Sequence, residues 1–168
     1  RAEELVGDHK PGGPYKGGKY SIFEAGTRVP TIIYWPSRIK PGVSNALFNQ
    51  VDLYASLASL IGHKLSPTEA PDSYNMLPVL LGKSDKGRQI MLEEAFTLAL
   101  RKGNWKYIEP QSKSTPNWLK DKKVETGLNT SPQLFNLSTD VGEQHNIIAQ
   151  YPKRRKNMQK TLKAIQDD

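Results

Sequence analysis

The sequence predicts an α/β segment running into a small antiparallel α+β region, and three patterns carry that expectation. Residues 29–35 read Val-Pro-Thr-Ile-Ile-Tyr-Trp before Pro36, an apolar and β-branched run suited to a strand buried on both faces. Residues 53–61 place apolar side chains at helical spacing. Beyond Gly82 the pattern changes to short strand-like runs separated by turn residues, closed by one long amphipathic segment. A boundary is therefore expected near residues 82–88, dividing the chain into 1–84, α/β in character, and 85–168, antiparallel α+β.

Each element has a local cause. Residues 7–18 are crowded with glycine and proline, which disfavour regular structure. Pro30 is tolerable only near the start of the 29–35 strand, because it donates no ladder hydrogen bond. A parallel strand of that kind needs neighbours on both edges and helices on both faces, and residues 1–84 hold too few of either, so sequence N-terminal to Arg1 is expected to supply them. Asp52 is a suitable N-cap for the 53–61 helix, and Gly62 a suitable residue to follow its end. Asn75 caps a second short helix over 76–81, with Pro78 in its first turn. Strands are expected at 89–93, 97–101 and 105–109, the last two joined by Lys102-Gly103-Asn104, and a further strand at 133–137. Asp140 and Glu143 have capping-box spacing. The closing helix, 152–166, carries Met158, Leu162 and Ile165 on one stripe and six Lys or Arg side chains elsewhere.

Composition narrows the chemistry only broadly. Of 168 residues, 24 are Lys or Arg against 17 Asp or Glu, a net charge of +7 that favours polyanions through long-range attraction. Cysteine is absent, which excludes disulfides, thiolate metal sites and a cysteine nucleophile within this chain. No apolar run approaches the roughly 20 residues that span a bilayer, so no membrane span is expected, and residues 1–6 have no signal-peptide pattern and read as an interior segment.

One stretch is more specific. Residues 14–36 run Pro-Tyr-Lys-Gly-Gly-Lys-Tyr-Ser-Ile-Phe-Glu-Ala-Gly-Thr-Arg-Val-Pro-Thr-Ile-Ile-Tyr-Trp-Pro. This resembles the sulfatase block G-K-x-x-x-x-E-G-G-x-R-V-P followed by an apolar strand and Trp-Pro. Gly18, Lys19, Glu24, Gly26, Arg28, Val29, Pro30, Trp35 and Pro36 fit, and Ala25 replaces the first glycine of the pair, a small change unless the backbone there requires positive φ. The likeness continues in order through residues 51–57, 73–80 and 134–146, with Ala55 and Val141 where the family has proline.

The resemblance implies the C-terminal part of an alkaline-phosphatase-like sulfatase fold, followed by a small antiparallel sheet with a C-terminal helix. It implies hydrolysis of sulfate monoesters, and the basic surface makes sulfated carbohydrate a more natural substrate than a simple aryl sulfate. It further implies a formylglycine nucleophile and a divalent cation, usually calcium, whose motifs would lie N-terminal to the matched block. Tyr34-Trp35-Pro36-Ser37-Arg38 ends like the nucleophile motif but offers Tyr34 where Cys or Ser is required, so it is a coincidence. The fragment is thus expected to be inactive alone and to partner the missing N-terminal part. A periplasmic or extracellular address follows from the family, and no nucleic-acid partner is expected.

The resemblance makes Lys19 the lysine that contacts the sulfate group, placing fixed positive charge where negative charge builds as the S–O bond breaks. Without the motif it would be an ordinary solvated loop lysine. His9 is a candidate for substrate contact or proton donation, with Asp8 orienting it, although an exposed loop histidine is the commoner situation. Glu24 and Arg28, four apart, are expected to pair and brace the loop carrying Lys19. His63 and His145 read as structural or exposed. Two rival readings remain: a phosphomonoester or phosphonate hydrolase on the same scaffold, and a non-catalytic module that binds polyanions.

Overall fold

The structure is a computed structural model and describes residues 9–112, 115–120 and 124–167. Residues 1–6 and Asp8 lie outside the described residues. Contacts divide the chain into two compact units, Arg1–Pro30 with Leu92–Asp168, and Thr31–Met91. These units differ in composition from the expected division at 1–84 and 85–168, since Arg1–Pro30 groups with Leu92–Asp168.

The first unit is built on a four-stranded sheet of β1 (Ile90–Glu94), β2 (Leu98–Lys102), β3 (Trp105–Ile108) and β4 (Gln133–Asn136), in that spatial order. Each strand lies within about one residue of its expected place. β2 and β3 pair antiparallel with Leu100 opposite Tyr107 and Lys102 opposite Trp105. β3 and β4 pair antiparallel with Lys106 opposite Phe135. Alternation puts Ala99, Arg101, Lys106, Ile108 and Phe135 on one face, and Leu100, Trp105, Tyr107 and Leu134 on the other.

The first face carries the segment around α1 (Glu24–Thr27): Ile22 and Phe23 join Ala99, Ile108, Phe135 and Leu137 in one apolar cluster, and the Phe23 and Phe135 rings meet edge to face at 5.9 Å. The second face packs against the closing helix, whose Met158 and Leu162 are buried while Ile165 is not. That helix spans Pro152–Gln166, as expected, because a proline in the first turn loses no intrahelical bond.

In the second unit α2 (Asp52–Leu60) and α3 (Leu77–Leu80) pack together around Ala55, Ala58, Met76 and Val79. Asp52 does not cap α2 as expected; it lies inside the helix, and its carboxylate accepts from Arg88 Nε at 2.7 Å, Tyr74 N at 2.9 Å and Asn49 N at 3.0 Å. Asn75 does accept from Leu77 N at 3.1 Å, and Gly62 follows α2 at φ 76°.

The strand expected at 29–35 does not form within this chain. Among the described residues nothing pairs with it, and Ile32 and Tyr34 are 91% and 88% exposed. An isolated strand leaves its N–H and C=O groups to water and buries no side chain, so it has no stability of its own. The capping-box spacing of Asp140 and Glu143, which would start a short turn of helix, yields only a turn. Asp140 caps a turn through Gln144 N at 2.9 Å and His145 N at 2.8 Å, and Glu143, at φ 49°, sends its carboxylate into the core. The remaining described α-helix, α4 (Asn117–Lys120), precedes β4, a 3-10 turn spans Ile148–Gln150, and the closing helix is α5.

Candidate functional site

Lys19 occupies the tip of a tight turn closed by Ser21 N donating to Gly18 O at 2.9 Å. Tyr20, beside it, adopts φ 78°, a left-handed conformation that costs a bulky residue about 1–3 kcal/mol. Hydrogen bonds to residues 125 and 126 hold the turn: Ser21 Oγ donates to Glu125 O at 2.6 Å, and Ile22 N donates to Thr126 O at 2.9 Å. Gly26 closes it from below, because a Cβ there would stand 2.6 Å from Gly18 O. Close backbone approach, not dihedral freedom, is thus what demands glycine at 26. Ala25 sits inside α1 without positive φ, so its methyl group is compatible with the backbone.

The Lys19 side chain is exposed, with its ammonium 5.2 Å from the Tyr20 ring centroid and, among the described residues, no carboxylate partner. Tyr20 meets Trp118 edge to face at 5.0 Å, and Trp118 meets Phe96 at 6.2 Å. Trp118 and Phe96 are 47% and 40% exposed. A cation therefore stands at the rim of a part-exposed aromatic surface.

Beneath the turn lies a buried ionic brace. Glu24, 1% exposed, accepts from Arg28 Nε at 3.0 Å, Arg101 Nη1 at 3.2 Å and Lys106 Nζ at 3.0 Å. Lys106, fully buried, also meets Glu93 Oε2 at 2.7 Å and Glu143 Oε1 at 3.7 Å. Glu143 Oε2 accepts the Glu24 backbone N–H at 2.6 Å, and Thr27 Oγ1 donates to Glu93 at 2.9 Å, so two distant carboxylates hold α1 in place. Burial would raise the Glu24 pKa, but Lys106, Arg101 and Arg28 outweigh it and leave the carboxyl below its ordinary value. For Glu143 burial wins over Lys106, with Glu24 and Glu93 adding repulsion, and the pKa rises to about 7. Burial opposes the charge on Lys106, yet Glu93, Glu143 and Glu24 hold its pKa above the usual lysine value.

Of the other residues anticipated from sequence, each has its own surroundings. Glu24 and Arg28 pair across α1, and Arg28 also stacks over Tyr15 at 4.6 Å. Lys16 lies over Phe23 at 4.6 Å. His9 is exposed and outside regular structure. His63 and His145 are exposed beside Glu69 and Asp140, at 3.6 and 3.7 Å. Sequence reasoning missed Lys106, Glu93, Glu143 and Arg101. One signal was available: in Trp105-Lys106-Tyr107-Ile108 the alternation puts Lys106 on the same face as Ile108, and a lysine on an apolar face requires buried acids. Phe96 and Trp118 were missed because nothing local relates them to Tyr20.

Among the described residues no group of three or more His, Cys, Asp or Glu side chains could hold a metal ion. Among the described residues Glu24, Glu93 and Glu143 converge, and the Lys106 ammonium already fills the space between them. These residues do not fit the calcium that the family resemblance implies.

The family model described as Sulfatase matches residues 5–63. N-acetylgalactosamine-6-O-sulfatase of Bacteroides thetaiotaomicron is 41% identical over 168 residues, 98% of this chain and 32% of that protein. Human arylsulfatase A is 29% identical over 161 residues, 89% of this chain and 32% of that protein. A solved structure described with the metabolism of multiple glycosaminoglycans by Bacteroides thetaiotaomicron superposes with a TM-score of 0.93 at 40% identity, covering 99% of this chain and 35% of that one. The chain thus spans about a third of the length of the curated relatives it matches.

Proposed function

Because this chain is a sulfatase-family sequence corresponding to the family's C-terminal part, we propose that it supplies one wall of the active site of a sulfuric ester hydrolase acting on sulfated carbohydrate. The observation that carries the reading is the Lys19 turn: an exposed ammonium, unpaired with any described carboxylate, on backbone braced from below by Gly26 and the Glu24 ion network.

Hydrolysis of a sulfate monoester breaks an S–O bond, and negative charge gathers on the departing and non-bridging oxygens. Lys19 provides fixed positive charge at that point, and the brace limits how far it must reorganise. The aromatic surface of Tyr20, Trp118 and Phe96 would lie against the sugar ring that carries the sulfate. His9 is assigned as a second polar contact, or as the proton donor to the leaving alcohol. The formylglycine nucleophile and the divalent cation belong to polypeptide outside this chain, which makes the chain inactive by itself. The exposed run at 29–35 would then be a strand of the parent sheet, paired with that polypeptide. Export to the periplasm or the cell exterior is proposed from the family resemblance alone, and fractionation of the producing cell tests it.

Kinetics of the intact protein test the main reading. Lys19→Ala should lower kcat on a sulfated saccharide by about 10²–10³, the scale of one lost electrostatic contact to the transition state. Its thermal unfolding should match the wild type. Unchanged kcat would remove Lys19 from the site. Turnover of the matching phosphate ester, with none of the sulfate, would move the assignment to phosphomonoester hydrolysis.

A further inference from the structure

The sheet face opposite α1 carries a second feature with the chemistry of an anion site. Where α5 begins, a groove of about 560 Å³ is lined by Lys102, Tyr151, Lys153, Arg154 and Asn157 with neighbouring apolar surface. The Arg154 guanidinium lies 4.1 Å over the Trp105 ring, and Trp105 meets Tyr151 edge to face at 4.9 Å. Among the described residues no acidic side chain lines the groove.

Stacking on Trp105 restrains Arg154 without using its N–H groups, which stay available as a planar, bidentate fork. Lys102, opposite Trp105 in the β2–β3 ladder, and Lys153 add point charges around it. Arg154 makes no ion pair with a carboxylate among the described residues. Alternation along β3 places Trp105 on the face opposite Lys106 and the brace beneath Lys19, so this groove is separate from the proposed catalytic wall.

We propose that this groove is an exosite for sulfated glycan, gripping a sulfated sugar of the same polymer at a distance from the bond being cleaved. Its ligand class rests on the reading of the protein as a sulfated-carbohydrate hydrolase; its location and chemistry do not. Tyr151 in the lining offers a ring to a pyranose that a bare polyanion lacks, and the Arg154 guanidinium fork fits the oxygens of a sulfate group.

The intact protein provides the test, with Lys19→Ala added so that ligand is not consumed during titration. A chondroitin sulfate hexasaccharide, its desulfated counterpart and a short DNA duplex are titrated calorimetrically. Lys102→Ala with Arg154→Ala should weaken hexasaccharide binding roughly tenfold, on the scale of a lost charge-assisted bidentate contact. Arg154→Lys, which keeps the charge and loses the planar fork, should show most of that loss. In the Lys19 background neither variant should alter folding, and with Lys19 restored neither should change kcat/KM on a small aryl sulfate.

Unchanged hexasaccharide affinity would overturn the exosite. So would equal binding of the DNA duplex, which would reveal an unselective cationic surface, or loss of stability in the variants, which would mean that other polypeptide covers the groove. If the intact protein hydrolyses no sulfate ester, the catalytic reading fails while the titration still decides the exosite.

Discussion

Lys106 shows how strongly one buried charge can organise this chain. Its ammonium is fully buried among Glu24, Glu93 and Glu143, and one Oε of Glu93 and one of Glu143 find no hydrogen-bond partner. Replacing it with methionine leaves three carboxylates facing one another in the core, and should cost about 3–5 kcal/mol in denaturant unfolding of the intact protein. Glu143 supplies a pH signature. Its carboxyl titrates near 4.5 when unfolded and near 7 when folded, so the folded state holds its proton more tightly. Its effect on stability is therefore most favourable below pH 4.5, declines as pH rises through the interval to 7, and is constant beyond, for a total on the order of 3 kcal/mol. Glu24 shifts the other way, and its contribution is present above its unfolded value and lost only in acid. Glu143→Gln should flatten the fall in unfolding free energy between pH 5 and 8 relative to wild type; parallel slopes would show that Glu143 does not titrate there.

At the scale of elements, the Lys19 turn and α5 behave differently. The turn depends on backbone contact: a methyl group at position 26 meets Gly18 O and Ser21 O, neither of which can swing aside. Gly26→Ala should therefore destabilise by about 1–3 kcal/mol and also lower activity, since Lys19 moves with Gly18; circular-dichroism melts and initial rates read the two effects together. α5 depends on side-chain burial. Leu162 is buried against the sheet, and Leu162→Ala should cost about 2–5 kcal/mol with little effect on the chemistry at Lys19. Its basic positions are exposed and individually worth little to stability.

Across the whole molecule, apolar exposure is concentrated in the second unit. Ile32, Tyr34 and Val43 stand almost fully in water, and Tyr54, Leu57 and Ile61 of the α2 region are more than half exposed. Scattered apolar residues on a surface are ordinary, whereas the proposed place of this chain in a larger enzyme would make such a run a face for other polypeptide. Ile32→Asp should leave the melting of the isolated chain unchanged and sharply lower soluble yield of the intact protein. An equal effect on both, or on neither, would place that run outside any covered interface.

Local patterning decided much of this architecture. Short strands at the expected places, the Gly103 hairpin, the Gly62 helix stop and α5 from Pro152 to Gln166 all follow from residues within a few positions of one another. The ordered family motifs, Lys19 with its glycine neighbour included, were likewise legible, because sequence order preserves them. Only the tertiary structure decided which charges meet. Glu143 has the spacing of a capping box, yet it reaches 119 residues back to the Glu24 backbone, and Lys106 reads as a surface lysine until three acids from separate segments surround it. The 29–35 run shows the converse: its composition encodes a buried strand, but a strand exists only where another backbone offers N–H and C=O groups, and no described segment of this chain does. Propensity is a property of neighbours in sequence, whereas burial and pairing are properties of neighbours in space.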